Sequence, residues 1–181
     1  MHDIQSIKQF AEEILREYNP EGLVPFPFER LAQGKGDIDL LYSGTLPEDV
    51  SGAVFLDSGR FTILINADKP NVRQYFTIAH EFGHYFLHRQ WLVDNSTDGF
   101  IDYAETLDGQ GMLLRADDPA ATAQIDLRKE REANTFAAEL LMPEKDVRDF
   151  WKLTNDIVAC AKAFQVSKSA MAIRLERLHL L

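Results

Sequence analysis

Residues 80–88 read HEFGHYFLH and place three histidines and a glutamate within nine positions. His80 and His84 are four residues apart, so on a helix their side chains lie on one face and can share a single metal ion. Glu81 then lies beside the open side of that ion, where a carboxylate can accept a proton from a bound water. The pattern predicts a zinc site in which His80 and His84 are ligands and Glu81 is the catalytic base.

His88 does not fit the same ion. It follows His80 by eight residues, which on a continuous helix is a displacement of about 12 Å. We expect it to be a helix-end histidine beside a carbonyl or another polar partner. Gly83 inside the motif lowers helix propensity, so we expect another element to pack closely against it.

A catalytic zinc site has three protein ligands and one open position. The third ligand is expected on a second helix, KEREANTFAAELLM at residues 129–142. At about 100° per residue, Glu130 lies within the apolar face of this helix, whereas Glu132 and Glu139 lie outside it. A carboxylate that points into a core needs a strong partner, and a metal supplies one. Glu130 is therefore the predicted third ligand, Glu132 is the alternative, and Asn134 is expected to accept a ring N–H from one histidine.

Glu130 also has a purely structural interpretation, as an acid that the dipole favours near a helix N-terminus.

Helical and alternating apolar patterns along the rest of the chain predict an α+β fold. The helices are expected at residues 4–18, around Phe28–Ala32, from Val72 with an Asn71 cap to about Arg89, and at 129–142; the strands are expected at 37–43, 52–56 and 61–66. Asp57-Ser58-Gly59-Arg60 is typical of a hairpin turn between the last two strands. Residues 94–128 are polar, show no sustained period and are predicted to be loops, with short elements allowed.

The two predicted helices resemble the ImmA/IrrE family of zinc metallopeptidases. The family signature has the form RFTxAHExGHxxLH followed by ExxAxxFAxxLLMP, and this chain has RQYFTIAHEFGHYFLH at 73–88 and EREANTFAAELLMP at 130–143. The preceding hairpin and opening helix also fit, so the resemblance covers most of residues 1–144. It implies a small zincin-like metallopeptidase domain.

The resemblance also implies a gluzincin-like site, with His80, His84 and Glu130 as zinc ligands. A zinc-bound water activated by Glu81 would attack a peptide carbonyl. The implied substrate is a helix-turn-helix transcriptional repressor or a similar regulatory partner. Proteases of this kind usually bind substrate along an exposed sheet edge, and FTILIN (61–66) is the candidate edge. The oxyanion-stabilising residue is left open among Tyr75, Tyr85, Tyr103 and Arg115.

Residues 145–181 form a distinct basic segment and are predicted to be a C-terminal helix-turn-helix-like unit. Ser167 would cap the second helix, small Ala161 would allow close helix crossing, and Val166 would fill the turn. Exposed Lys168, Arg174 and Arg177 would be available to phosphates. We favour a helical cap or protein docking surface over DNA contact, because 37 residues are few for an independent DNA-binding domain.

Composition bounds the remaining possibilities. A formal charge of −10 argues against wide non-specific binding to nucleic acid. The single cysteine, Cys160, excludes an internal disulfide and favours a reducing compartment. The N-terminal residues do not resemble a secretory signal, and no stretch has the length of a membrane span. We therefore expect a cytoplasmic protein.

The leading hypothesis is a zinc endopeptidase of narrow specificity. The alternative is a transcriptional regulator or repressor-binding protein in which zinc is structural or sensory. Glu81 separates the two, because a structural zinc site has no use for a base beside an open coordination position.

Overall fold

The computed structural model describes residues 2–95, 99–103 and 119–181, without the side chains of 102–103 and 119–126. Within these residues the protein is α+β, with eight helices and a small mixed sheet of four strands. In chain order the elements are α1 (Ile4–Tyr18), α2 (Phe28–Lys35), β1 (Ile38–Ser43), β2 (Val50–Asp57), β3 (Arg60–Asn66), α3 (Asn71–Leu87), α4 (Arg89–Asp94), β4 (Phe100–Tyr103), α5 (Pro119–Leu141), α6 (Glu144–Thr154), α7 (Ile157–Ala163) and α8 (Lys168–Arg177).

The hairpin between β2 and β3 forms as predicted. The two strands are antiparallel, and Asp57 pairs with Arg60 across the turn. Ser58 and Gly59 have φ values of 50° and 82°, the positive angles that a type I′ turn requires at both central residues.

The strand order is β1-β3-β2-β4, and the prediction that FTILIN is an edge strand is wrong. β3 pairs with β2 on one side and with β1, in parallel, on the other. The alternation of its buried side chains, Phe61, Ile63 and Ile65, shows which face meets the core, but it carries no information on lateral neighbours. Among the described strands, the edges of the sheet are β1 and β4.

Three long helices build the core around the sheet. α1 begins where the Asp3 side chain accepts a hydrogen bond from the Ser6 N–H at 2.9 Å, and its apolar stripe packs against α5. α3 packs against β2, β3 and α5. Where α3 meets α5, a Cβ on Gly83 would lie 2.9 Å from the Ala133 Cα. The close packing expected at Gly83 is therefore present, and the glycine is needed because a larger residue would push the two helices apart.

Two predicted helix starts are wrong. Asn71 is the first residue of α3 and not its cap, because Pro70 holds the N-cap position with extended backbone and makes no side-chain cap. α5 begins at Pro119 and not near Lys129. Its first turns lack an apolar period, so nothing but a weak local propensity indicated a helix there. β4 is one of the short elements allowed within 94–128, and residues 104–118 lie outside the described part of the chain.

The C-terminal segment packs as three helices, α6 to α8. The Ser167 hydroxyl accepts a hydrogen bond from the Ala170 N–H at 3.1 Å and caps α8 as predicted. Ala161 and Val166 are buried between α7 and α8, and Gln165 adopts a φ of 53° in the turn. The buried core runs without interruption from Ile7 to Leu178. The division into residues 1–144 and 145–181 as two units remains a prediction.

The prediction that three basic residues of this segment are exposed is wrong for one of them. Lys168 and Arg177 are exposed, but Arg174 is buried. Its guanidinium donates to both oxygens of Glu139 on α5, at 2.7 and 2.6 Å, and to the Met142 carbonyl at 2.9 Å. Arg174 lies on the inner side of α8, so it is not available to phosphates. None of the described helices is both long enough and apolar enough to span a membrane.

Candidate metal centre

The structure brings together the side chains of His80, His84 and Glu130. The two Nε2 atoms are 3.0 Å apart. One Glu130 oxygen lies 3.1 Å from His80 Nε2, and the other lies 3.2 Å from His84 Nε2. All three residues are buried. Among the described residues this is the group whose nitrogen and carboxylate donors converge within 4.8 Å.

The convergence follows from the contact between α3 and α5. His80 and His84 lie one turn apart on α3, on either side of the glycine that lets α5 approach. Glu130 lies one turn before Ala133, the residue packed on Gly83, so its carboxylate reaches both rings. The apolar arc of α5 therefore positions Glu130 as the sequence predicted.

The donor set fits a zinc ion in composition and in size. Two imidazoles and one carboxylate form the His₂Glu set found in catalytic zinc sites. With zinc–ligand bonds of about 2.0–2.1 Å, two ligand atoms of a tetrahedral site lie about 3.3 Å apart. The two Nε2 atoms here are 3.0 Å apart, and each lies 3.1 or 3.2 Å from a different oxygen of Glu130. Burial alone would raise the pKa of Glu130, but the His84 and His80 rings hold that pKa well below its usual range, so the carboxyl is ionised. The assignment of these residues as ligands remains a prediction.

Glu81 is fully buried and lies on α3 directly after His80. This position matches the expectation that a carboxylate accompanies the two histidines without being one of the three converging donors. Its role as catalytic base stays a prediction.

The second nitrogen of each histidine has its own partner. His80 Nδ1 lies 2.9 Å from the Asn134 side-chain oxygen, the contact expected for Asn134. His84 Nδ1 lies 3.0 Å from His88 Nδ1. His88 Nε2 in turn lies 3.2 Å from a Glu132 oxygen. Glu132, the alternative third ligand, is therefore directed to His88 and not to the converging pair.

His88 has the polar partner that was expected for it and lies outside the group of converging donors. Burial, together with the nearby His84 and Lys129, lowers the pKa of His88 to about 2, so its ring is neutral.

Aromatic side chains cover the histidines on the side of β4. The Phe100 ring stacks on His84 with centroids 3.8 Å apart and planes at 15°. Trp91 packs on Phe100 at 4.4 Å, and the Lys129 ammonium lies 4.2 Å from the Trp91 ring centroid. Phe100 was not predicted to lie at the site, because it stands in a polar stretch of the sequence without a period. β4 is thus the sheet edge that adjoins the candidate centre.

Of the four residues left open for oxyanion stabilisation, the structure describes the side chains of two, Tyr75 and Tyr85. The Tyr85 hydroxyl donates to Asp37 at 2.6 Å, which occupies it away from the converging donors. Tyr75 lines a cavity of about 240 Å³ that is bounded by α2, β1 and the start of α3. The Tyr103 side chain and Arg115 lie outside the described part of the chain.

A small α+β protein with a buried His₂Glu donor set on two packed helices belongs to the zincin-like class by architecture. The family model described as the IrrE N-terminal-like domain, of the peptidase M78 family, matches residues 34–108 and 111–176. The chain belongs to this family.

Among solved structures, a Mycobacterium tuberculosis transcriptional regulator has a similar fold, with a TM-score of 0.62 and 18% sequence identity. The alignment covers 94% of this chain and 46% of the regulator, so the chain spans about half of that protein's length. At this identity the likeness concerns the fold alone. The search of curated proteins found no match.

Proposed function

We propose that this protein is a zinc-dependent endopeptidase of narrow specificity that cleaves a regulatory protein, with a helix-turn-helix repressor as the expected substrate. One observation carries the proposal: the buried nitrogens of His80 and His84 and the carboxylate of Glu130 converge at separations that suit zinc. Membership of a peptidase family supports it. The repressor as substrate rests on the sequence resemblance.

Each residue of the site has a separate task in this proposal. His80, His84 and Glu130 would hold the zinc ion, and Asn134 would keep the His80 ring in place. A bound zinc ion would supply Lewis-acid polarisation of the scissile carbonyl and a lowered pKa of water. Glu81 would accept the proton of the attacking water and return it to the leaving amine. Phe100, stacked on His84, would keep bulk water from that ring.

The sheet edge at β4 is the proposed seat of the substrate. A peptide that pairs with β4 would run beside the helix that carries the histidines, because Phe100 of β4 contacts His84. Main-chain hydrogen bonds to an edge strand give affinity, and side-chain pockets give specificity. β1, the other described edge strand, is separated from β4 by β3 and β2.

The second candidate is a transcriptional regulator or repressor-binding protein in which zinc is structural or sensory. The similar fold of the mycobacterial regulator is the observation for which this second candidate is retained. The two candidates differ in what they require of Glu81, because a regulator that does not cut its partner needs no base.

The test pairs zinc content with cleavage. Wild type, Glu81→Gln and the exposed control Glu12→Gln are purified, assayed for zinc per chain, and incubated with purified helix-turn-helix repressors from the source organism. Fragments are identified by intact mass. We expect about one zinc in each protein, cleavage by wild type and Glu12→Gln, and a rate lower by about 10²–10⁴-fold in Glu81→Gln. A zinc-loaded Glu81→Gln protein that cleaves at the wild-type rate would refute the role of Glu81. Repressor binding without cleavage by wild type would favour the second candidate.

A further inference from the structure

We propose that His88 and Glu132 form a hydrogen-bonded relay that orients His84 for metal binding. The relay comprises the contacts from His84 to His88, from His88 to Glu132 and from Glu132 to Arg128. It rests on the proposed zinc site, and it gives a function to His88 and Glu132, neither of which belongs to the converging donor set.

The direction of the relay follows from the two nitrogens of each ring. A histidine nitrogen that binds a metal carries no proton, so His84, with Nε2 turned to His80 and Glu130, carries its proton on Nδ1. That proton is donated to His88 Nδ1, 3.0 Å away. His88 must then carry its own proton on Nε2, which donates to the Glu132 carboxylate at 3.2 Å. Each ring is thereby restricted to one tautomer.

The far end of the relay is charged and anchored. The second oxygen of Glu132 accepts a hydrogen bond from Arg128 Nε at 3.0 Å, one turn earlier on α5. His88 lies between α3 and α4, and its backbone N–H donates to the His84 carbonyl at 2.9 Å. His88 and Glu132 are both buried. The backbone of His88 is therefore held by α3 and its ring by Glu132 on α5. Because the same ring contacts His84, the orientation of the His84 ring depends on the position of α5.

His80 and His84 differ in the group that their Nδ1 atoms contact. His80 donates to the amide oxygen of Asn134, whereas His84 is backed through His88 by the carboxyl group of Glu132. A carboxylate behind a metal-binding histidine fixes the ring and raises its basicity, and loss of such a partner typically lowers metal affinity 10–100-fold. Because Glu132 contacts neither His80 nor Glu130 in the described hydrogen bonds, its effect should reach the metal through His84.

The first readout is the tautomer of each ring in the zinc-loaded protein. We expect nitrogen-15 NMR to show His84 protonated on Nδ1 and His88 protonated on Nε2. In Glu132→Gln we expect the His88 signals to broaden or shift, while those of His80 stay in place. His88 protonated on Nδ1 in wild type would overturn the proposal, because that nitrogen could not then accept from His84.

The second readout is the dissociation constant for zinc, measured by competition with a chromogenic chelator. We expect Glu132→Gln to bind zinc 10–100-fold more weakly than wild type. Arg128→Gln, whose side chain is 43% exposed, should shift the constant in the same direction by a smaller factor and keeps the proposal testable if Glu132→Gln does not fold. Arg131→Gln is the matched control, since Arg131 is exposed on the same helix and should leave affinity unchanged.

The outcomes separate the relay from the zinc site itself. If wild type does not bind zinc, the proposed function fails and the relay with it. If wild type binds zinc and both Glu132→Gln and Arg128→Gln bind it equally well, the relay is wrong while the zinc site stands. Thermal unfolding of the zinc-free variants shows whether a loss of affinity comes from the site and not from general destabilisation.

Discussion

The ion pair between Arg174 and Glu139 should anchor the C-terminal helices to the helix that carries Glu130. The exposed fractions of the two side chains are 4% and 9%, and two N–H groups of Arg174 donate to the two Glu139 oxygens at 2.7 and 2.6 Å. Removing one partner of a buried pair costs about 3–5 kcal/mol, because the remaining charge is left uncompensated. Lys8 lies 3.8 Å from Glu139 and would compensate part of that charge.

For Arg174→Met we therefore expect a loss near the lower limit, about 3 kcal/mol, of a total that is typically about 5–15 kcal/mol. In a chain of this size that loss corresponds to a fall in Tm of about 6–12 °C. The assay is urea unfolding followed by circular dichroism, on metal-free protein so that zinc does not contribute. Arg30→Met is the control: Arg30 and Glu21 are about half exposed, and the loss should be under about 1 kcal/mol.

A double variant tests the cause of this loss. In Arg174→Met with Glu139→Leu no buried charge is left unpaired, so stability should recover to within about 1 kcal/mol of wild type. A single variant that costs less than about 1 kcal/mol, or a double variant as unstable as the single one, would refute the reasoning.

Three further results are expected. Gly83→Ala brings a methyl group to 2.9 Å from the backbone of Ala133, so it should lower the free energy of unfolding by about 1–3 kcal/mol and weaken zinc binding by moving α5. Gly44→Ala is the control, because its nearest contact is at 3.7 Å, and it should change neither quantity. Urea unfolding measures the stability and chelator competition measures the zinc affinity. Removal of zinc by a chelator should lower the free energy of unfolding by about 2.7 kcal/mol when free zinc was at 100 times its Kd; an unchanged Tm would contradict the site. Burial raises the pKa of Asp37, but the hydroxyl of Tyr85 and a neighbouring arginine outweigh it and lower that pKa. Asp37 should therefore stabilise the fold above its unfolded pKa of about 3.9 and lose this contribution as pH falls through the lower folded value; Asp37→Asn should flatten the acid limb of a plot of stability against pH.

The local elements of this protein are encoded in short stretches of sequence. The apolar spacing from Ile4 to Tyr18 predicted α1 with its bounds, because a period of 3.6 residues marks one face of a helix. Ser58 and Gly59 predicted the hairpin, because both must adopt positive φ. The same angular argument placed Glu130 toward the histidines, since a carboxylate within an apolar arc must meet a partner inside the protein.

Three features were decided only by the tertiary structure. β3 became an interior strand because β1 pairs with it from a distance along the chain. Arg174 turned inward because Glu139 lies opposite on α5, although its position on a basic helix indicated exposure. Glu132 lies outside the apolar arc and is still buried, because His88 reaches it from the end of α3. The periodicity of a sequence indicates which side of a helix or strand is apolar. The element that packs against each side is set by contacts between residues far apart in the sequence.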